Sequence, residues 1–294
     1  AYKEEHNEGG FVSRTPKNAG NVTIENVTFK NCRSQGGKYV GLVIGDINDN
    51  STVAFKNVRL EGCRVSSAQW DYSGGFVGFI DGGSNVTFTN CHSDVYTGAY
   101  CKKYVGGFVG YVQKDNTKVG FYNCVSVAEG NGMFANRDDD FDCRGGYIGK
   151  AEAKTILRFK NSAVICAYRS HWGNTDENKQ FGAFVGDAHE ADVQCSDCYI
   201  DNNAAFKESW RIHYFLFGYR QPERLSNTSN FYCLTTSSSG RENIPVAYKA
   251  NQKGAKYAFN GMTITPCVSD SDKVLRLDCD KLTSASSASI SDGI

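Results

Sequence analysis

Gly75-Phe76-Val77-Gly78, followed by Val86-Thr87-Phe88-Thr89-Asn90-Cys91, is the clearest copy of a two-block pattern that recurs along this chain. Copies of the first block lie at 107–110, 146–149 and 183–186, with looser copies at 11–13, 43–45 and 216–218. Successive copies are therefore 32 to 39 residues apart. Self-similarity at such a period indicates a repeat architecture.

The second block keeps step with the first. Its copies are interpreted as 27–32, 58–63, 86–91, 119–124, 157–162, 193–198 and, imperfectly, 230–233. Both blocks alternate with period two and favour β-branched and aromatic residues, which predicts strands. Stacked β coils fit a repeat of this length, whereas propeller blades are longer and have four strands each.

The sequence thus predicts an all-β fold, a parallel β-helix (solenoid) of about seven coils. The β-helix repeat domain is placed at 1–235, with its coils over 9–235. A separate C-terminal cap or assembly segment is placed at 236–294.

In each copy of the second block, the next-to-last residue is of a type that tolerates positive φ. We therefore expect the chain to turn a corner at this residue. These residues are Asn31, Gly62, Asn90, Asn123, Asn161 and Asp197. Inward side chains after the corner then form ladders, because coils stack about 4.8 Å apart. The cysteines expected on such a ladder are Cys32, Cys63, Cys91, Cys124, Cys198 and Cys233.

These blocks resemble the GLUG-type repeat, a Gly-Gly-Leu/Phe-Val-Gly motif followed by an Asn-Cys-Tyr-like segment. The similarity covers roughly residues 9 to 235, with Phe usually in place of Leu. It implies a parallel β-helix from a secreted or cell-surface, adhesin-like protein. It carries no catalytic residues to transfer to this chain.

Charge and hydropathy exclude two classes of partner. Lys+Arg and Asp+Glu are both 32 in 294 residues, so the net charge is zero and nucleic acid is not an expected partner. No apolar run reaches the roughly 18 residues of a membrane helix, so no membrane span is expected.

Twelve cysteines and five Asn-x-Ser/Thr sequons together favour a secretory route and an extracellular or cell-surface location. The predicted glycosylation sites are Asn21, Asn26, Asn50, Asn85 and Asn227. Cys101 and Cys143 both precede a Gly-Gly strand in adjacent coils, so we expect them to pair. Cys267 and Cys279 are close in sequence near the C-terminus and form a second predicted disulfide.

No set of residues indicates a catalytic centre, metal site or cofactor. Asp187, Glu190 and Asp192, with His189 between them, are interpreted as a polar turn. The acidic run 138–142 is interpreted as a solvated loop, and Gly145–Lys150 lacks the Ser/Thr of a phosphate loop. Cys195 and Cys198 are expected to face the core or to form disulfides.

The expected function is therefore non-enzymatic: an extracellular structural or adhesive repeat glycoprotein that self-associates head-to-tail into a fibre. Surface glycans or other extracellular proteins are further expected partners. A carbohydrate-active enzyme on a β-helix, such as a lyase or glycosidase, and a lectin-like module stay open as alternatives.

Because both faces of the first block are apolar, its outer face is expected to be covered by a long loop, the C-terminal segment or another subunit. The joint between subunits is expected at the open coil edges or at the tail 283–294, which can add as a strand to an exposed edge, and a disordered tail on a monomer is the alternative.

Overall fold

The computed structural model describes residues 8–67, 72–97, 103–128, 143–166, 180–182, 184–188, 190–196 and 198–201, and short strands beyond them. Every regular element in this described part is a β-strand. The prediction of an all-β parallel solenoid is confirmed, because four sheets run along the molecule and each coil contributes strands to them in turn.

We name the four sheets A to D in the order in which the chain enters them. Sheet A contains Glu8–Gly9, Tyr39–Gly41, Tyr72–Gly74, Tyr104–Gly106, Cys143–Gly145 and Gln180–Gly182. Sheet B contains Val12–Arg14, Ile44–Ile47, Val77–Ile80, Val109–Val112, Ile148–Ala151 and Val185–Asp187. Sheet C contains Asn21–Glu25, Thr52–Lys56, Asn85–Thr89, Lys118–Tyr122, Ile156–Lys160, Asp192–Ser196 and Arg224–Leu225. Sheet D contains Thr28–Lys30, Arg33–Gly36, Arg59–Ser67, His92–Thr97, Val125–Ala128, Ala163–Cys166, Tyr199–Asp201 and Tyr232–Leu234.

The coil count differs from the seven predicted. Among the described residues, six coils place a strand in all four sheets, and the next contributes only to sheets C and D. We number the coils from the N-terminus, so that coil 1 is residues 8–36. Further along, two antiparallel pairs join Tyr257–Phe259 to Met262–Ile264 and Pro266–Val268 to Lys273–Leu275.

Two rows of stacked rings fill the core. Phe55, Phe88, Phe121 and Phe159 stack along sheet C with centroids 4.7 to 5.0 Å apart. Phe76, Phe108, Tyr147 and Phe184 stack beside them at the start of sheet B, 4.8 to 5.2 Å apart. The two rows meet edge to face, an arrangement that aromatic pairs prefer. The aromatic positions that recur in the sequence are therefore the ones whose rings fill the core.

Glycines allow sheets A and B to approach backbone to backbone. A Cβ on Gly110 would lie 2.5 Å from the carbonyl oxygen of Gly78 and 2.8 Å from the amide nitrogen of Ser73. Gly74 is equally confined, by the backbone of Val77 and the next coil. Glycine at the last position of the first block and four residues before it, as at Gly74 and Gly78, is thus required by this close packing rather than by a phosphate-binding turn.

The corner between sheets C and D corrects the predicted alignment of the first two coils. Val86 and Phe88 pair with Val53 and Phe55, not with residues of the block at 58–63. The corner row is therefore Asn26, Asn57, Asn90, Asn123 and Asn161, all with φ between 49° and 57°. Asn31 and Gly62 also have positive φ, but they lie further along sheet D, where the register shifts opposite Asp94.

Candidate functional site at the first coil

Coil 1 supplies the edge strand of all four sheets. Glu8–Gly9, Val12–Arg14, Asn21–Glu25 and Thr28–Lys30 each pair in parallel with a strand of coil 2. An edge strand presents backbone N–H and C=O groups that can template the addition of another strand. At coil 1, each of the four sheets therefore has an edge strand that could pair in parallel with a further strand.

Apolar side chains that would be buried elsewhere in the stack are incompletely covered at coil 1. The side chains that pack against the core while staying partly exposed are Val12, Val22, Val27, Phe29 and Cys32. In the next coil Val53, the register partner of Val22, is fully buried. Phe11 is 63% exposed, and its ring meets Phe29 edge-on at 5.9 Å. The face of coil 1 that is turned away from coil 2, which we call the open end, is thus apolar.

Three ion pairs fasten coil 1 to coil 2, each with its cation on coil 1. They are Arg14 Nε to Asp46 Oδ2 at 2.8 Å, Lys17 Nζ to Asp49 Oδ2 at 2.9 Å and Lys30 Nζ to Glu61 Oε2 at 3.9 Å. The cations are largely exposed, so each pair alone contributes little, about 1 kcal/mol or less. Among the three carboxylates of these pairs, the Asp46 side chain stands apart because it is completely buried.

Burial shifts the protonation of the carboxyl groups beneath coil 1. It raises the pKa of Asp46 to about 6, although the Arg14 guanidinium opposes the shift. The Lys17 ammonium lowers the pKa of Asp49, whereas burial raises that of Asp81, to which Asp49 is hydrogen-bonded.

A ladder of side-chain amides runs up the corner between sheets C and D and ends at coil 1. Asn57 Nδ2 donates to Asn26 Oδ1 at 2.9 Å, and Asn90 Nδ2 donates to Asn57 Oδ1 at 3.1 Å. Asn123 and Asn161 continue the row at 3.1 and 2.6 Å. Every donor points toward the N-terminal neighbour. Among the described residues, Asn26 is therefore the N-terminal member of the row.

A second aromatic cluster covers the outer face of sheet B. Tyr39, Tyr72 and Tyr104 stack along sheet A with centroids 5.1 to 5.3 Å apart, and they pack on Phe79 and Tyr111. Phe79 is only 6% exposed as a result. Part of the covering of this face thus comes from the sheet A tyrosines of the same and the preceding coil, a source that was not among those predicted.

The same stacking limits what the outer aromatic cluster can bind. Sugars stack on ring faces, and the faces of Tyr72 are turned toward Tyr39 and Tyr104. The ammonium of Lys150 lies 4.9 Å from the ring centroid of Tyr104. Tyr111 donates its hydroxyl hydrogen to Glu152, and burial raises the pKa of Tyr111. Ring-face stacking on a glycan therefore gains little support from this cluster.

The predicted glycosylation sites differ in accessibility. Asn21, Asn26 and Asn50 are exposed. Asn85 is half-buried, and its amide oxygen is buried without a hydrogen-bond partner among the described residues. Asn227 lies outside the described residues. Glycosylation stays a prediction at each of these positions, with the geometry favouring the three exposed ones.

The cysteines occupy two rows rather than the single predicted ladder. Cys91, Cys124 and Cys198 follow the corner, and each thiol contacts the carbonyl oxygen of a core residue one coil earlier, at 3.3 to 3.5 Å. Cys63 makes the same contact with Phe29 from a position further along sheet D, so its predicted alignment is wrong.

The other predicted ladder cysteines and the disulfides stand as follows. Cys32 lies beside the Cys63 position, and Cys233 pairs in register with Ile200, beyond the row of Cys198. Among the described residues, Cys32, Cys63, Cys91, Cys124, Cys195 and Cys198 form no disulfide. Cys143 is buried at the start of a sheet A strand, and Cys267 lies in Pro266–Val268. Their predicted partners Cys101 and Cys279 lie outside the described residues, so both pairings stay predictions.

The acidic candidates after sheet B occupy different positions of their coil. Asp187 is buried in register with Lys150, Glu190 is exposed at a corner with φ of 58°, and Asp192 begins a sheet C strand. His189 and the run 138–142 lie outside the described residues. Within the described part, no three His, Cys, Asp or Glu side chains are grouped to hold a metal ion. Likewise, no helix there has the length and apolarity needed to cross a membrane.

Two residues of the open end are not identified by the sequence patterns described above. Phe11 was noted only as part of a loose repeat copy, and Asn26 only as a sequon. Asn26 follows Ile24 by two positions, as Asn90 follows Phe88, and this spacing is the signal that identifies the corner.

Comparison with protein families, with curated proteins and with solved structures finds no match to this chain.

Proposed function

We propose that this chain is a non-enzymatic structural or adhesive repeat glycoprotein of the cell surface or extracellular space, and that copies associate head-to-tail at coil 1. The observation that carries the proposal is the apolar open end, with Phe11 63% exposed beside four parallel sheet edges. The exposed sequons Asn21 and Asn50 support the secretory location.

Another copy of this chain is the partner that fits this face. Its coils carry parallel strands with inward apolar side chains at matching intervals, so a coil from a second copy continues the rows that end at Val22 and Phe29. Full burial of an exposed side chain of this kind contributes about 1.5–3 kcal/mol, and Val22 and Phe29 gain only part of that because they are already half-buried. A head-to-tail contact that does not close on itself produces a fibre.

The test compares the full chain with two lysine variants by sedimentation velocity over a range of concentrations. Phe11→Lys places a charge on the open end and should reduce association at least tenfold. Thr89→Lys adds the same charge on the side wall of coil 3 and should leave association unchanged. A wild-type chain made without N-glycans that stays monomeric at high concentration would overturn the proposal.

A further inference from the structure

The direction of the amide ladder fixes where the nitrogen of Asn26 points. In each internal member the oxygen accepts from the C-terminal coil and the nitrogen donates to the N-terminal coil, as Asn57 does between Asn90 and Asn26. The oxygen of Asn26 accepts from Asn57. Its Nδ2 is therefore directed toward the open end, where a further coil would supply the next amide oxygen.

Asn26 is also the first residue of the sequon Asn26-Val27-Thr28, and both Asn26 and Thr28 are exposed. N-glycosylation acts on this same nitrogen. A bond forms between Nδ2 and C1 of the sugar, the C1–O bond to a lipid diphosphate breaks, and Nδ2 loses one proton. A glycan on Asn26 thus begins at the atom that faces an incoming coil.

We infer that Asn26 is a modification site that controls assembly: its glycan and a stacked coil exclude each other. The inference rests on the proposed head-to-tail association. The glycan occupies the space in which the incoming backbone must approach to sheet-pairing distance, about 4.8 Å. Glycosylated chains accordingly terminate a stack at coil 1, and unmodified chains extend it.

The sequon at Asn50 provides a matched comparison. Asn50 is exposed, but it lies on coil 2 at the corner between sheets B and C, and its side chain is not part of the amide ladder. Thr28→Val and Thr52→Val remove the respective sequons while keeping both asparagines. Thr28 and Thr52 are exposed strand residues, and valine retains their β-branched shape.

The experiment measures sedimentation of the full chain made in a glycosylating secretory host and in a host without N-glycosylation, with glycan occupancy read by peptide mass spectrometry. The unmodified wild type and both unmodified variants should associate equally. All chains compared from the glycosylating host also carry Thr23→Val, which removes the exposed Asn21 sequon on the same coil. In this background the parent chain and Thr52→Val should associate at least tenfold more weakly than the unmodified chain, and Thr28→Val should associate like the unmodified chain.

The contrary outcomes separate the two ideas. If unmodified chains associate but Asn26 carries no glycan, or Thr28→Val from the glycosylating host stays monomeric, the Asn26 inference is wrong and the proposed function stands. If unmodified wild type and Thr28→Val both stay monomeric at every concentration, head-to-tail association fails and the inference fails with it.

Discussion

Asn57 Nδ2 donates to Asn26 Oδ1 across 2.9 Å, from one coil to the next. Both residues adopt the left-handed conformation, with φ of 52° and 57°. Asparagine tolerates this backbone better than other non-glycine residues, and its amide can both donate and accept. The corner therefore uses one residue type for two purposes, to bend the chain and to bind adjacent coils.

Replacing Asn123 tests these two contributions separately. Asn123→Gly keeps the positive φ and loses two amide contacts, so we expect a cost of about 1–2 kcal/mol in the free energy of unfolding. Asn123→Ala also introduces the strain of a left-handed residue and should cost about 1 kcal/mol more. Urea denaturation measures both values.

Asn18 is the matched control, because it has φ of 53° at an exposed corner outside the amide row. Asn18→Gly should be nearly neutral, whereas Asn18→Ala should show only the backbone cost. Equal losses at Asn18→Gly and Asn123→Gly would contradict a stabilising role for the amide row.

The sequence predicted the core rows correctly and the first corners incorrectly, for one physical reason. Phe88 and Phe121 mark the inward face because burial imposes period-two alternation on sheet C. In coils 1 and 2 the same alternation is repeated before Asn31 and Gly62, so a second local pattern imitates the corner. Local spacing alone cannot choose between two such copies, whereas pairing between coils does.

The short sheet A strands and the inter-coil ion pairs were beyond the sequence analysis. Tyr72–Gly74 has three residues and ends on glycine, so it carries too little alternation to be identified. The Arg14–Asp46 contact joins residues 32 positions apart and depends on the exact register of sheet B. The open end of coil 1 is likewise a consequence of stacking order.

Gly110→Ala should disrupt the contact between sheets A and B. The added Cβ would lie 2.5 Å from a backbone oxygen of Gly78, and backbone cannot move aside without breaking the ladder. We expect a loss of about 3 kcal/mol or failure to fold. Gly20→Ala is the control, since no atom lies within 4 Å of its added Cβ, and it should change stability by about 0.5 kcal/mol or less. Similar losses in both variants by thermal unfolding would refute this account.

Phe121→Ala should remove a ring from the middle of the core stack. Phe121 is fully buried between Phe88 and Phe159, so truncation should cost about 3–5 kcal/mol. Phe11→Ala should cost far less in the monomer, because that ring is 63% exposed. Chemical denaturation of both variants checks the contrast, and a large loss at Phe11 would show that its ring is already part of the monomer core.

Two buried groups, His92 and Asp46, should make the free energy of unfolding depend on pH in opposite directions. Burial lowers the pKa of His92 from 6.5 to about 4, so the folded state binds fewer protons than the unfolded state between these values. The stability that His92 contributes is complete above pH 6.5 and is lost as the pH falls toward 4. Burial raises the pKa of Asp46 from 3.8 to about 6, so its contribution is present below pH 3.8 and is lost as the pH rises through 6.

Each shift corresponds to roughly 3 kcal/mol, so the two largely cancel between pH 4 and 6.5 in the wild type. In Asp46→Asn only the His92 contribution remains, so the stability of this variant relative to wild type should fall on acidification. His92→Leu should do the reverse, with relative stability rising on acidification. Urea midpoints at pH 4.5 and 6.5 measure these differences, and the double variant should show neither slope, because it lacks both titrating groups. If both single variants keep the wild-type pH profile, the buried environments assigned to these two side chains are wrong.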